Sequence, residues 1–443
     1  MMGCRIAVFG TGYLGATHAA CMAELGHEVV GVDVDEAKLA RLAAGEAPFF
    51  EPGLNEVLKA NVDAGRVRFT TSYEEAAEFA DVHFIAVATP QKRGEFGADL
   101  TYVDSVVATL APLLRRPAVI YGKSTVPVGT AARLSEMAHA LAPVGDVIEV
   151  AWNPEFLREG FAVQDTLHPD RIVLGVDQGR TGQAEKLARE VYGKIIGEGV
   201  PFLVTDRETA ELVKTAANAF LATKISFINA MAEVCEAAGA DVSELADAIG
   251  YDTRIGRRFL NAGIGFGGGC LPKDIRAFMA RAGELGANHA LTFLREVDSI
   301  NMRRRVRMME MAREVAGGSL IGVRVAVLGA AFKPDSDDIR DSPALNIAGQ
   351  IQLQGASVSV YDPQAMENSR RQFPTLDYAS DLRAACEGAD LTLVLTEWDE
   401  FRQLDPGYLD TIVRQRRIID GRNCLDPAKW RNAGWIYRGV GRR

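Results

Sequence analysis
The stretch Gly10-Thr11-Gly12-Tyr13-Leu14-Gly15 constrains this chain more than any other, because of what flanks it. Ahead of it Arg5-Ile6-Ala7-Val8-Phe9 reads as a short buried strand; behind it a helical pattern continues to about Leu25, and a second strand follows over Glu28 to Val32. Between strand and helix, three glycines at this spacing have separate tasks. The first turns the chain, the second lets backbone approach a pyrophosphate, and the third lets helix meet strand. The helix N-terminus, with Tyr13 and Leu14 in its first turn, then faces the anion. Asp33 closes the second strand, where a carboxylate can accept hydrogen bonds from both ribose hydroxyls. Its charge and that of Asp35 oppose a 2′-phosphate, which favours NAD over NADP.

Further strand candidates at Val82 to Val87, Val119 to Tyr121 and Val147 to Val150 alternate with helical patterns, as in a parallel sheet covered on both faces. Thr89, in Val87-Ala88-Thr89-Pro90, borders the crevice at the carboxyl edge of that sheet. This first domain is expected over 1–206. From Glu208 to Ala238 the chain is rich in helix formers and free of Gly and Pro, which predicts one long helix. Helical segments continue to about Ala316, broken by the glycine-dense loop Gly263 to Gly269, giving a central segment over 207–316. A strand-plus-glycine start returns at Val323 to Gly329, with further strands at Ser357 to Asp362 and Leu391 to Leu395, in a third region over 317–443. There Ala330-Ala331-Phe332-Lys333 replaces the spaced glycines, so the likeness to the first domain is architectural. The fold class expected is α/β: two Rossmann-like, doubly wound parallel-sheet domains joined by a long central helix.

With 443 residues, 48% apolar and 24% charged, and no apolar run long enough to span a bilayer, the composition is that of a soluble protein. A net charge of -10 argues against a nucleic-acid surface, and Arg303, Arg304, Arg305 and Arg307 read as a solvated helix face. Six cysteines lack CxxC or zinc-ligand spacing, so neither a disulfide framework nor a metal is expected, and a reducing cytoplasm fits. No export or anchoring signal is apparent at the N-terminus.

One cysteine stands apart. In Gly265-Phe266-Gly267-Gly268-Gly269-Cys270-Leu271-Pro272-Lys273-Asp274 the glycines make no sense as packing and read instead as room for a bulky ligand, with positive φ angles. Cys270 precedes Pro272, a favoured first-turn residue, and a helix N-terminus together with Lys273 favours the thiolate. A nucleophilic thiol beside a hydride acceptor suggests oxidation of an alcohol past the aldehyde, through a thiohemiacetal and a thioester, to a carboxylate. That route needs donors for an oxyanion. Lys214 and Asn218, four apart on the long helix, share one face, and the flanking Ala216, Ala217, Ala219 and Phe220 imply that they are partly buried.

These stretches, with Lys123-Ser124-Thr125-Val126-Pro127-Val128-Gly129-Thr130, Asn153-Pro154-Glu155-Phe156-Leu157-Arg158-Glu159-Gly160, Ala216-Ala217-Asn218-Ala219-Phe220 and Phe332-Lys333, resemble the UDP-glucose/GDP-mannose dehydrogenase family over nearly the whole chain. The resemblance implies that Cys270 is the nucleophile, that Asp274 and Lys214 assist proton transfer and oxyanion stabilisation, and that Asn218 supports the oxyanion. It makes Glu155 the base of thioester hydrolysis, with Thr125 positioning water. The same resemblance places Gly10, Gly12, Tyr13, Leu14, Gly15, Asp33, Lys38, Thr89, Thr125, Glu159, Lys273 and Arg340 at NAD. It places Phe156, Leu157, Arg158, Lys214, Asn218, Phe259, Asn261, Gly263, Phe266, Gly267, Phe332, Lys333 and Arg422 at the sugar nucleotide. Arg254 resembles an arginine that reaches the neighbouring subunit's site, which implies a homodimer paired through the long helix. Gly269 and Leu271 depart from the Ser and Phe that many relatives carry. The stretch Ala219 to Asn229 resembles the branch acting on UDP-glucose; GDP-mannose and UDP-N-acetylmannosamine are the sister substrates, and a two-electron hydroxyacid dehydrogenase or an inactive NAD-binding scaffold are the readings from other classes.

Overall fold
Short runs that bury side chains on both faces suit a sheet covered on both sides, and the chain builds such a sheet twice. The computed structural model describes residues 3–177 and 182–442. They fall into two compact units, one running to Ala217 and including Arg276–Leu285, the other comprising Asn218–Ile275 and the described residues from Gly286 on.

The first unit holds β1 (Arg5–Phe9), β2 (Glu28–Val32), β3 (Val67–Thr70), β4 (Val82–Ile85), β5 (Ala118–Gly122), β6 (Ile148–Trp152), β7 (Ile172–Val176) and β8 (Phe202–Asp206), in the order β3-β2-β1-β4-β5-β6-β7-β8. β1 lies at the point where the strand order reverses. It pairs with β2 from Arg5 opposite Glu28 to Phe9 opposite Val32, and with β4 on its other side. Ile6, Ala7, Val8 and Phe9 are all fully buried. The parallel arrangement holds for the first six strands. β7 meets β6 antiparallel, at Trp152 opposite Gly175, and β8 runs parallel to β7. Between β6 and β7 stands the six-residue helix Ala162–Leu167.

In the second unit β9 (Arg324–Leu328), β10 (Ser357–Tyr361), β11 (Asp377–Tyr378), β12 (Leu391–Val394), β13 (Arg417–Asp420) and β14 (Ile436–Gly439) form an all-parallel sheet ordered β11-β10-β9-β12-β13-β14. The long helix runs Arg207–Ala238, and Val242–Gly250, Leu271–Glu284 and Thr292–Ala316 follow it. The arginine run on the last of these is not a solvated face. Arg304 and Arg305 are buried, with Arg304 Nη1 donating to Glu233 at 3.3 Å and Arg305 Nη2 to Asp341 at 2.9 Å. Consecutive helical residues step by about 100°, so three adjacent arginines cannot all face water once one side of the helix is packed. No helix among the described residues is long and apolar enough to cross a membrane.

Candidate active site
In the first unit the glycine motif forms a cradle. Gly10 has φ +89°, a Cβ on Gly15 would stand 1.7 Å from the Gly10 carbonyl oxygen, and a Cβ on Gly12 would meet nothing within 4 Å. The following helix, Tyr13–Glu24, starts with no side-chain cap and no acidic residue in its first turn, so its N-terminal N–H groups remain open to an anion. Open space at Gly12 beside those donors fits a pyrophosphate. Asp33 Oδ2 accepts from Thr11 N at 2.8 Å, Thr11 Oγ1 at 2.9 Å and Lys38 Nζ at 3.0 Å, and Oδ1 accepts from Asp35 N at 3.1 Å. Burial pushes the Asp33 carboxyl up, but the Thr11 and Asp35 N–H groups, the Lys38 ammonium and the Thr11 hydroxyl outweigh it and hold it below the ordinary carboxylate range.

Sequence reasoning missed Glu51. This buried carboxylate accepts from the Tyr13 hydroxyl and from the N–H groups of Gly160 and Ala162, each at 2.7 Å, and so ties the segment after Glu159 to the glycine motif. Burial, then the Glu51 hydrogen bond and the Glu51 and Glu159 charges, push the Tyr13 phenol far up. Thr89 Oγ1 donates to the Thr125 carbonyl at 2.8 Å, bringing those two expected residues together. Glu211, also missed, is buried on the long helix and accepts from Gly129 N and Ala131 N at 2.7 Å each; burial pushes its carboxyl up to about 7.

Glu155 and Lys214 form an ion pair at 2.9 Å, with their side chains only 12% and 6% exposed. Glu155 Oε2 also accepts from Leu157 N at 2.6 Å, and the Phe156 ring centroid lies 5.7 Å from Lys214 Nζ. Burial of Lys214 owes nothing to Phe220, which is 67% exposed. Six residues further on, Phe220 has turned about two-thirds of the way round the helix. Arg158 is turned to Asp165, at 2.6 Å.

In the second unit Cys270 is exposed and immediately precedes the helix Leu271–Glu284. One turn on, Asp274 is buried and accepts from Asn218 Nδ2 at 2.6 Å and Lys273 Nζ at 2.5 Å, so Asn218, Lys273 and Asp274 form one cluster. Cys21, Cys235 and Cys386 are buried, Cys4 and Cys424 partly so, and burial pushes all five thiols up. The glycine-rich loop has a packing reason after all. A Cβ would stand 2.8 Å from the Phe332 ring at Gly268, 2.4 Å from the Asp341 carbonyl at Gly267 and 2.1 Å from the Arg340 guanidinium at Gly269. The reading of positive φ holds at Gly268, at +84°. Phe266 is fixed at both backbone groups by Asn301, at 2.7 and 3.0 Å. Arg422 donates to the carbonyls of Leu395, Gly265 and Phe332 at 2.9, 3.0 and 3.1 Å, so it draws the loop, Phe332 and the end of β12 together. Lys333 Nζ lies 5.4 Å from the Phe332 ring centroid, and a Cβ on Gly263 would stand 2.9 Å from the Gly421 carbonyl. Three expected site residues are exposed. Arg254 is paired with Asp252 at 2.6 Å on an exposed turn, Asn261 accepts from Arg257 at 2.8 Å, and Phe259, at φ +66°, is 37% exposed.

Sequence comparison covers the same ground. The NAD binding domain of the UDP-glucose/GDP-mannose dehydrogenase family matches residues 4–196, its central domain 208–303 and its UDP binding domain 326–427. The chain is 42% identical to the UDP-glucose 6-dehydrogenase of Rhizobium meliloti (strain 1021), with 99% of each chain covered. It is also 42% identical to UDP-glucose 6-dehydrogenase TuaD of Bacillus subtilis (strain 168), over 99% of this chain and 93% of that one. Among solved structures, a UDP-glucose dehydrogenase from Pyrobaculum islandicum matches with a TM-score of 0.91 at 37% identity, covering 100% of this chain and 98% of that one. The chain is therefore a member of the UDP-glucose/GDP-mannose dehydrogenase family, an enzyme with a Rossmann-type NAD-binding domain.

Proposed function
We propose that this enzyme oxidises the 6-hydroxyl of UDP-glucose to the carboxylate of UDP-glucuronate, with two NAD as hydride acceptors. Bound NAD would take the hydride lost from C6 in each oxidation. The residues that would hold it are the cradle of Gly10, Gly12 and Gly15 and the Asp33 carboxylate. In the first oxidation C6 loses a hydride and its hydroxyl proton, leaving an aldehyde. The Cys270 thiolate then adds to C6, and the oxyanion of the thiohemiacetal is stabilised by the Lys214 ammonium and the Asn218 amide. Loss of the second hydride leaves a thioester. Water held by Thr125 attacks it, Glu155 takes the water's proton, and the C–S bond breaks to return the thiol and release the carboxylate. The sum is one alcohol, one water and two NAD in, and one carboxylate, two NADH and three protons out.

The observation that carries this reading is the setting of Cys270, exposed at a helix start one turn before the buried Asp274–Asn218 pair, while burial disfavours the thiolate at the other five cysteines. The choice of UDP-glucose is supported by the 42% identity to relatives named for it. Cys270→Ser tests the covalent step: the variant is expected to release no more than one NADH per sugar and to hold an aldehyde-level intermediate. Full yield of the acid from that variant would exclude the thioester.

The same reading makes the enzyme a homodimer paired through the helix Arg207–Ala238, with Arg254 reaching the partner's site. Phe220, Phe227 and Val234, spaced at seven residues on that helix, are 67%, 48% and 57% exposed, which supports an apolar seam.

A further inference from the structure
The first unit buries a charge for which the proposed chemistry has no use. Lys123 follows β5 directly, is only 6% exposed, and has neutral direct partners: its ammonium donates to Asn153 Oδ1 at 3.0 Å, to the Asn153 carbonyl at 3.5 Å and to the Tyr192 hydroxyl at 3.4 Å. The rings of Phe84 and Tyr192 lie 5.6 and 5.9 Å away. Asn153 is itself fully engaged, with Oδ1 also accepting from Tyr192 at 2.7 Å and Nδ2 donating to Val173 at 2.8 Å. Packing alone would be served better by an apolar side chain, because an unneutralised buried ammonium costs desolvation energy.

We infer that Lys123 is a positioning residue for the reaction: its ammonium anchors Asn153, two residues ahead of Glu155, and sets the electrostatic environment in which Glu155 is held against Lys214. The charges facing it are the Glu155 carboxylate and the Lys214 ammonium. The other titratable groups facing it are Tyr192 and His18. Burial pushes Lys123 down to about 8, while Glu155 pulls it up and Lys214 pushes it down. Burial first, then Lys123 and His27, hold His18 well below its ordinary value, and burial pushes Tyr192 up. Lys123 and Lys214 thus place two cations about one carboxylate, and the Lys123 anchor on Asn153 fixes the backbone that carries Glu155 to Lys214.

This inference rests on the assignment of Glu155 as base, and its test separates the two. Wild-type NADH yield from UDP-glucose judges the proposed reaction; Lys123 is then tested on whichever nucleotide sugar the enzyme turns over. In Lys123→Met, which keeps length without charge, kcat is expected to fall about tenfold or more, with both KM values within about threefold. Lys123→Gln keeps a donor for Asn153 without the charge and is expected to show the same split between kcat and KM, and it serves if the methionine variant does not fold. An unchanged kcat, or a rise in KM as large as the fall in kcat, in either folded variant, or failure of both to fold, assigns Lys123 to packing and overturns the inference.

Discussion

On the proposed reading, Asp33 serves fold and cofactor at once. Three of its four hydrogen bonds converge on Oδ2, which leaves Oδ1, with only the Asp35 N–H, as the atom able to take a ribose hydroxyl. The Lys38 ammonium that it neutralises is the local cation that would otherwise welcome a 2′-phosphate. In Asp33→Ala, kcat/KM for NAD is expected to fall about 10–100-fold, as befits loss of a charge-assisted hydrogen bond. Activity with NADP is expected to hold or rise as Lys38 is released. An unchanged ratio of the two cofactors would take Asp33 off the ribose. Asp33 was legible because the glycine motif and the strand end fix its place. Glu51, Glu211 and Lys123 were not, because a carboxylate or ammonium in a loop or helix declares its purpose only when backbone N–H groups or a neighbouring loop arrive from distant sequence. The glycines before Cys270 were legible as special but for the wrong reason: their crowding comes from Phe332, Arg340 and Asp341, some seventy residues away in sequence.

Most elements that are apolar throughout or helix-forming throughout could be read directly. The second strand falls on Glu28–Val32 and the long helix on Arg207–Ala238, within a residue of expectation. Of the strands that sequence did not yield, β3, β8, β11 and β14 are the sheet edges, while β7 and β13 lie inside their sheets; β8 exposes Leu203 and Val204, and β14 alternates exposed Ile436 and Arg438 with buried Tyr437 and Gly439. An edge strand needs no continuous apolar run, so periodicity alone does not find it. The long helix carries its own test. Burying one phenylalanine contributes about 1.5–3 kcal/mol, so Phe220→Asp combined with Phe227→Asp is expected to raise the dissociation constant of self-association by about 100-fold or more. Sedimentation velocity over a concentration series reads this. An unchanged stoichiometry at every concentration would remove the helix from the interface.

Across the molecule, the division of labour follows from the two sheets. The first places a glycine cradle and an acidic residue at the strand ends beside β1, where an open α/β sheet receives a dinucleotide. The loops of the second brace the Cys270 loop through Arg422, Arg340 and Phe332. The long helix bears Lys214 and Asn218 on one face, each buried and each held by a carboxylate, Glu155 for the lysine and Asp274 for the asparagine. A two-electron dehydrogenase has no need of a nucleophilic thiol or of oxyanion donors, whereas an enzyme that must pass through a thioester needs both. The count of hydrides per sugar decides between these cases. Limiting UDP-glucose, with GDP-mannose and UDP-N-acetylmannosamine in parallel and NAD in excess, is expected to give two NADH per UDP-glucose and little from the other two; one NADH per sugar would contradict the account by removing Cys270 from the chemistry.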